Sequence, residues 1–428
     1  MTTTLQEHLL QQSDMPQPGI CSVCSAHPLV IRAAAELSVE NGTLLLVEAT
    51  SNQVNQMGGY TGMLPADFRA FAEHIATKAG LAPEKLLLGG DHLGPNPWRS
   101  LPAEQAMQHA ETLVTAYVSA GFAKIHLDTS MSCFGDPPAL SDEDVAARSV
   151  RLCRAAEEAH RKSPVQGQRP VYIIGTEVPT PGGATHPLDG LAITPPQAAA
   201  RTLAVHRAAF LSNDLGDAWT RVIGLVVQPG VEFEHDSVVH YQRSKARELI
   251  EWRRLQSEKI VFEAHSTDYQ KAQAYIELVE DGFGILKVGP ALTFALREAL
   301  DCLESIEALL IDPGEQSFLS QVIERTMLAH PEAWQPYYAG DALQQALLRR
   351  FSYSDRVRYY WHYPDIASAV ERLFSNLVKN VIPESMLSLY LPAQYTRVRT
   401  GLIAGDPVSL VVDKVKDVLR MYSNACRN

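Results

Sequence analysis

Lys124-Ile-His-Leu-Asp-Thr129 is a short run in which apolar Ile125 and Leu127 alternate with polar Lys124, His126 and Asp128. A period of two marks a strand, because successive side chains point to opposite faces. The apolar set is expected to face covering helices and the polar set to face inward, with Asp128 at the C-terminal end. On either side of it in the chain lie seven comparable runs: Ile20–Ser25, Leu44–Thr50, Leu86–Asp91, Val171–Val178, Val222–Gln228, Ile260–His265 and Gly284–Gly289. Helix-like stretches of roughly 12 to 20 residues separate them, as βα units require. Pro28 stands where the first helical position falls, Ser141 with Asp144 forms a capping-box variant before Val145–His160, and Thr194-Pro195 opens a helix through Arg207. Eight alternations favour an α/β fold of the (β/α)8 TIM-barrel type over an open doubly wound sheet with the same alternation.

The barrel, with a short N-terminal extension, is expected to occupy residues 1–311, because Pro313 and Gly314 punctuate the chain just beyond. Residues 312–428 read as a helical C-terminal region packed on the barrel. It contains the aromatic and arginine cluster Phe351-Ser-Tyr-Ser-Asp-Arg-Val-Arg-Tyr-Tyr-Trp-His362. Of 428 residues, 46% are hydrophobic and 20% charged, which excludes bulk disorder. A net charge of −12 argues against a fold-wide attraction to nucleic acid or anionic membrane. No apolar run approaches the ~18 residues of a membrane span. Met1 to Asp14 lacks the basic and apolar regions of a signal peptide. Six cysteines are too few for a disulfide scaffold and suit reduced thiols in a cytoplasmic protein.

In a barrel, sites gather at the C-terminal ends of the strands. Several polar residues fall at that end. Glu177 shares a face with Ile173 and Gly175, Glu263 and His265 share one with Val261, and Glu48, Gln228 and Lys287 lie on other runs. The third run ends in Gly89-Gly-Asp-His-Leu-Gly94. A barrel interior has no structural need for such groups, each of which costs desolvation unless paired. A buried ion pair, such as Lys287 with Glu263, is the plainer account of any one of them. For the whole ring, a polar site is the better account. Imidazoles with carboxylates suit a divalent metal such as zinc, with His92, Glu177, Glu263 and His265 as candidate ligands. Asp91 and Asp128 are the general acid/base candidates beside it. Glu48, Gln228 and Lys287 would contact substrate. A buried Lys287 could alternatively form a Schiff base.

Gly289-Pro-Ala-Leu-Thr293 opens a helix after the eighth run, where barrels often bind phosphate, so Gly289 and Thr293 are phosphate candidates. Arg356 and Arg358 could supply phosphate contacts from the tail. Cys21-x-x-Cys24 lies in a strand, where residues three apart face opposite ways, so the two thiols cannot share a ligand. Gly58-Gly-Tyr-Thr-Gly62 has no following Lys-Ser/Thr and is not a P-loop, and neither a GxGxxG fingerprint nor a protein-kinase signature occurs.

The stretches Val23-Cys-Ser-Ala-His-Pro-Leu-Val30, Glu48-Ala-Thr-Ser-Asn-Gln-Val54, Gly58-Gly-Tyr-Thr-Gly-Met63 and Gly89-Gly-Asp-His-Leu-Gly-Pro95 resemble the Z-type subunit of class II D-tagatose-1,6-bisphosphate aldolase. So do Lys124-Ile-His-Leu-Asp-Thr-Ser-Met-Ser132, Gly175-Thr-Glu-Val-Pro179, Phe262-Glu-Ala-His-Ser-Thr-Asp-Tyr269 and Ser354-Asp-Arg-Val-Arg-Tyr-Tyr-Trp361. The resemblance implies a TIM-barrel, non-catalytic accessory subunit of hexitol and amino-sugar (galactitol, N-acetylgalactosamine) catabolism. Its partner would be a catalytic Y-type zinc aldolase, whose activity and stability it supports. Some relatives carry a tagatose-6-phosphate kinase label, against which the missing nucleotide motifs speak. Asp91-His92 also resembles the Asp-His pair of catalytic class II aldolases, where the Asp handles a proton and the His binds zinc. A second and third histidine in the catalytic subunit's arrangement are not found, only a Glu/His mixture. Aldol cleavage by this chain alone is therefore not expected. The rival reading is a metal-dependent aldolase or epimerase acting on a ketose or ketose phosphate in its own right. The tail aromatics Tyr359 to Trp361 are the expected partner surface.

Overall fold

The computed structural model describes residues 4–10, 18–163, 168–175 and 191–426. Eight parallel strands close into a barrel: β1 (Ile20–Val23), β2 (Leu45–Thr50), β3 (Leu86–Leu93), β4 (Lys124–Leu127), β5 (Val171–Ile174), β6 (Val222–Val226), β7 (Val261–Ala264) and β8 (Ile285–Val288). Each pairs with its neighbours in sequence, and β1 closes on β8 with Ser22 opposite Lys287. The open sheet is thereby excluded. The eight strands fall on the eight runs, most with ends trimmed by a few residues and the third extended to Leu93. The fifth run stops at Ile174, and Glu177 lies outside the described residues.

The helix start signals act as their chemistry requires. His27 caps Pro28–Asn41, its Nδ1 accepting the Leu29 N–H at 3.2 Å. Ser141 caps Asp142–Lys162 by accepting the Asp144 N–H at 3.1 Å. The helix expected from Pro195 runs from Pro196 to Ser212, with Pro195 itself at the cap.

Inside the barrel the side chains form layers, because inward positions recur every second residue. Ile20, Leu46, Leu87, Val261 and Ile285 belong to an apolar cluster at the N-terminal end. Two residues further along their strands come Ser22, Glu48, Gly89, Glu263 and Lys287, so the layer above is charged. Gly89 is required there, since a Cβ would lie 2.7 Å from Glu48 Cγ. The apolar layer is closed from below by an element absent from the sequence reading, the helix Leu5–Leu10, whose Leu5, Leu9 and Leu10 join the same cluster.

Beyond residue 311 the described chain is helical. Its last helix, Pro407–Cys426, lies against the barrel helices Pro28–Asn41, Ala272–Glu280 and Pro290–Leu310. Lys416 ties it to Glu36 (2.6 Å) and Glu40 (2.8 Å), and the Tyr422 hydroxyl donates to the Thr267 carbonyl at 3.0 Å. The C-terminal region is thus fastened to the barrel wall. Among the described residues, no helix is long and apolar enough to cross a membrane.

Leu9 is fully buried in the apolar layer, so Leu9→Ala should cost about 2–4 kcal/mol in urea unfolding. The charged layer above should be unaffected. A loss below about 0.5 kcal/mol would contradict the plug.

Candidate metal and ligand site at the barrel mouth

The charged layer is a closed network. Lys124 Nζ lies 2.6 Å from Glu48 Oε1 and 2.7 Å from Glu263 Oε2. Lys287 Nζ lies 3.1 Å from Glu48 Oε2, 3.7 Å from Glu263 Oε1, and also contacts Asp91 Oδ1. All five side chains are buried. Burial alone would lower both ammonium groups, but the carboxylates around them raise both above the ordinary lysine value. Lys287 is therefore a held cation rather than the depressed amine that a Schiff base needs, and the ion-pair account of it prevails.

Above this layer the third strand breaks its alternation. Its register with β4 shifts between Gly90 and Leu93, and His92 takes a left-handed φ of 48°. A regular strand would send Asp91 and His92 to opposite faces; the bulge brings both to the mouth. Gly94 then passes so close to β4 that a Cβ would overlap the Asp128 carbonyl oxygen. His92 Nδ1 lies 2.9 Å from Asp128 Oδ2, and its Nε2 faces Asp91 Oδ2 at 3.6 Å. Burial pulls the His92 imidazole down, yet Asp91 and Asp128 outweigh it and hold the ring above its usual value.

His126 sits beneath. Its Nδ1 lies 3.0 Å from Asp91 Oδ1 and 3.2 Å from the His92 backbone nitrogen, so it can donate to the first or accept from the second but not both. The charge-assisted bond to the carboxylate is the stronger and fixes the proton on Nδ1. Nε2 is then a lone pair, fully buried and without a hydrogen-bond partner. His265 Nε2 lies 2.9 Å from Glu263 Oε1, and burial with the Lys287 charge pushes its imidazole down to about 3, so the ring is neutral. Asp91, His126, Glu263 and His265 each offer one donor atom, all within 4.8 Å of one another.

This set fits a divalent cation. Neutral imidazoles and ionised carboxylates are the protonation states that metals bind, and the carboxylate–histidine pair Asp91–His126 is the arrangement that orients a ligating ring. The four carboxylates Glu48, Asp91, Asp128 and Glu263 exceed the two lysines by two charges. Against expectation, His126 rather than His92 presents the unshared nitrogen; His92 spends its ring on Asp128 and Asp91. Glu263 and His265 come together as read. Asp128 stands behind His92, and Asp91 is itself in the donor set. The rings of His92, His126 and His265 lie 5.0 to 5.2 Å apart, centroid to centroid, a three-imidazole convergence that the sequence reading did not contain.

Other expected contacts fall differently. Gln228 Oε1 accepts the Gly230 and Val231 N–H groups at 2.8 and 3.0 Å and closes its own turn. The helix start at Gly289 faces the mouth, but Asp268 Oδ1 takes the Gly289 and Ala291 N–H groups at 3.1 and 2.8 Å. Thr293 Oγ1 bonds the Pro290 carbonyl within its own helix. Arg356 is buried over the Tyr337 ring, away from the mouth. Its neighbour Arg358 lines the cavity with Tyr359, because the segment Arg356–Tyr359 is a tight 3-10 turn and not an α-helix. Tyr359 meets Tyr60 at 4.8 Å between rings, Tyr360 is buried, and Trp361 meets His27 at 5.6 Å. Tyr359 and Trp361 are thus half-buried against residues of the barrel's loops. Cys24 lines the mouth, whereas Cys21 lies beside the last helix, so the two thiols stay apart.

With this geometry in hand, residues 5–427 match the family described as D-tagatose-1,6-bisphosphate aldolase subunit GatZ/KbaZ-like. A D-tagatose-1,6-bisphosphate aldolase subunit GatZ from Escherichia coli SMS-3-5 is 52% identical over 408 residues, 95% of this chain and 96% of that protein. Its counterpart from Salmonella dublin is 50% identical over 410 residues, 96% of each. The crystal structure of a probable tagatose 6 phosphate kinase from Sinorhizobium meliloti 1021 has a TM-score of 0.88 at 50% identity, covering 95% of this chain and 100% of that one.

Beside the mouth, burial pushes the Glu232 carboxyl up from 4.5 to about 7, despite the bond its Oε1 accepts from the Phe233 N–H at 3.0 Å. The folded chain then binds this proton before the unfolded chain does. The resulting stability is fully present below the ordinary glutamate range and is lost as pH rises through about 7. Glu232→Gln removes the titration. Between pH ~8 and pH ~5 the native chain should gain ~2 kcal/mol on the variant in urea unfolding. An identical pH dependence in the two would contradict the shift.

Proposed function

The chain belongs to the GatZ/KbaZ-like family of D-tagatose-1,6-bisphosphate aldolase subunits, and from that premise we propose a two-part function. It serves as the accessory subunit that supports the activity and stability of a catalytic Y-type aldolase in galactitol and N-acetylgalactosamine catabolism in the cytoplasm. Its own barrel mouth is a divalent-metal site, zinc by donor type, that binds a ketose or its phosphate.

The first part rests on the word subunit in the names of relatives that match 95–96% of this chain. A partner that binds the folded or assembled form of the catalytic chain stabilises it by mass action. The second part is carried by one observation, the unshared, buried Nε2 of His126. His126, His265, Glu263 and Asp91 would hold the ion, which would supply Lewis acidity toward a sugar oxygen. Asp91 orients His126 through Nδ1. Asp128 accepts the His92 Nδ1 proton and fixes the ring, with Nε2 facing Asp91. Lys124 and Lys287 hold the Glu263 carboxyl well below its usual range and pair with Glu48.

Phosphoryl transfer from a nucleotide is disfavoured by the glycine-rich loop. Its N–H groups are spent at home: Gly58 on the Asn55 carbonyl, Gly59 on Asn55 Oδ1, Tyr60 on the Asn52 carbonyl and Thr61 on the Gln53 carbonyl. A phosphate cradle needs such groups free.

The same observation gives the rival reading, an aldolase or epimerase working alone, its force, because a pure scaffold needs no such donor set. One experiment separates them. The purified chain is assayed with tagatose 1,6-bisphosphate alone and with the catalytic aldolase, and its metal is measured by mass spectrometry. The accessory reading expects little or no cleavage alone, a raised activity or half-life of the mixture, and a metal content that falls about tenfold or more in His126→Ala/His265→Ala. Turnover by the chain alone, lost in that variant, would overturn the accessory reading. Unchanged metal content would overturn the metal site.

A further inference from the structure

Two cations line the mouth cavity, Lys287 and Arg358. They differ in one respect. Lys287 is enclosed by Glu48, Asp91 and Glu263. Arg358 donates only to neutral oxygens: Nη1 to the Ser354 and Asp355 carbonyls, the latter at 3.1 Å, and Nη2 to the Tyr359 hydroxyl at 3.0 Å. No carboxylate lies within ion-pair distance of it among the described residues. Among other cations drawn into the fold, Arg297 has Asp355, Arg349 has Glu324 and Lys416 has Glu36, whereas Arg356, buried over the Tyr337 ring, also lacks a carboxylate among the described residues but does not line the mouth. A guanidinium has five N–H donors, and three bonds leave two of them uncommitted.

The other anion-binding feature of this mouth is filled. Asp268 occupies the N–H groups at the start of helix Pro290–Leu310, so a ligand's negative charge cannot settle there without displacing a carboxylate. Arg358 also stands on the wall between the mouth and an adjoining cavity of about 350 Å³, which shares Cys24, Gln53, Tyr60 and Gly289 with it. Neutral hydrogen-bonding groups, Thr50, Asn52, Gln53 and Tyr60, line the stretch from the donor cluster to Arg358 and suit sugar hydroxyls.

We propose that Arg358, supplied by the C-terminal region, is the specificity-determining residue that receives the anionic end of a sugar bound at the barrel mouth. This rests on the reading of the mouth as the ligand site. The charged end is a phosphate or a carboxylate, both of which match the planar guanidinium fork. The C-terminal region thereby contributes directly to the site and does more than cover it.

The test is calorimetric titration of the full-length, metal-loaded chain and of Arg358→Met with three probes: tagatose 6-phosphate, galacturonate and free tagatose. Thermal midpoint and metal content are recorded for both. The expected result is that Arg358→Met weakens the preferred anionic sugar at least tenfold. Free tagatose binding, midpoint and metal content should stay unchanged, and Arg358→Lys should restore part of the loss. Which anionic probe binds the native chain more tightly identifies the charged group. A variant with unchanged midpoint that binds both anionic sugars as tightly as the native chain overturns the proposal. Failure of the native, metal-loaded chain to bind any of the three overturns the mouth as ligand site, and the proposal falls with it. Failure of Arg358→Met alone to hold its fold is distinguished by the lysine variant, which keeps the bonds to Ser354 and Asp355 within reach.

Discussion

Glu48, Lys124, Glu263 and Lys287 interlock across the inside of the barrel, and everything at the mouth stands on that network. Buried charges are costly unless each meets its opposite, so no member can turn aside without leaving a partner exposed to an apolar layer. Removing a single member of such a network typically costs 3–5 kcal/mol, roughly the margin of many domains. The apolar layer sealed by Leu5, Leu9 and Leu10 keeps water from below, and Gly89 makes room for Glu48. With the floor rigid, the residues two positions higher, Asp91, His126 and His265, are held in one place. The excess of carboxylate over ammonium, beside the neutral His265 ring, makes the donor set compatible with a divalent cation.

The C-terminal region extends this logic across the mouth. Its last helix is pinned to the barrel by Lys416 and Tyr422, and its 3-10 turn sets Arg358 and Tyr359 against the loop that follows β2. The ring of Tyr359 is edge-on to Tyr60, with the Arg358 guanidinium 4.5 Å from its centre. The mouth therefore has a negative floor built by strands and a positive wall built by the tail. A molecule with a metal-binding oxygen at one end and an anionic group at the other matches that polarity.

Much of this was legible in the residues. Period-two alternation placed all eight strands, because burial on one face leaves little choice of register. The inward path of Lys124, His126 and Asp128 was readable for the same reason, and so was the pairing of Glu263 with His265. What escaped has physical causes. Leu5–Leu10 is too short to be a stable helix alone and gains its order from the apolar layer it closes. His92 joins Asp91 at the mouth only through a bulge and a left-handed residue, which no periodicity announces; its ring then turns to Asp128, and the free nitrogen is that of His126. Of the two tail arginines only Arg358 lines the mouth, because the tail turns as a 3-10 helix, where residues two apart diverge and Arg356 is buried. Gln228 and Thr293 carry side chains whose nearest partners are their own backbone, a competition invisible in composition.

The central claim is that the ring above the charged floor is a metal centre ordered by Asp91 through His126. The most direct measurement is an anomalous difference map at the zinc edge from a crystal grown with zinc. The expected result is one strong peak at the barrel mouth, about 2.0–2.2 Å from His126 Nε2, with His265, Glu263 and Asp91 completing the set. A map without a peak there, or with zinc bound elsewhere while His126 Nε2 keeps no ligand, would contradict it.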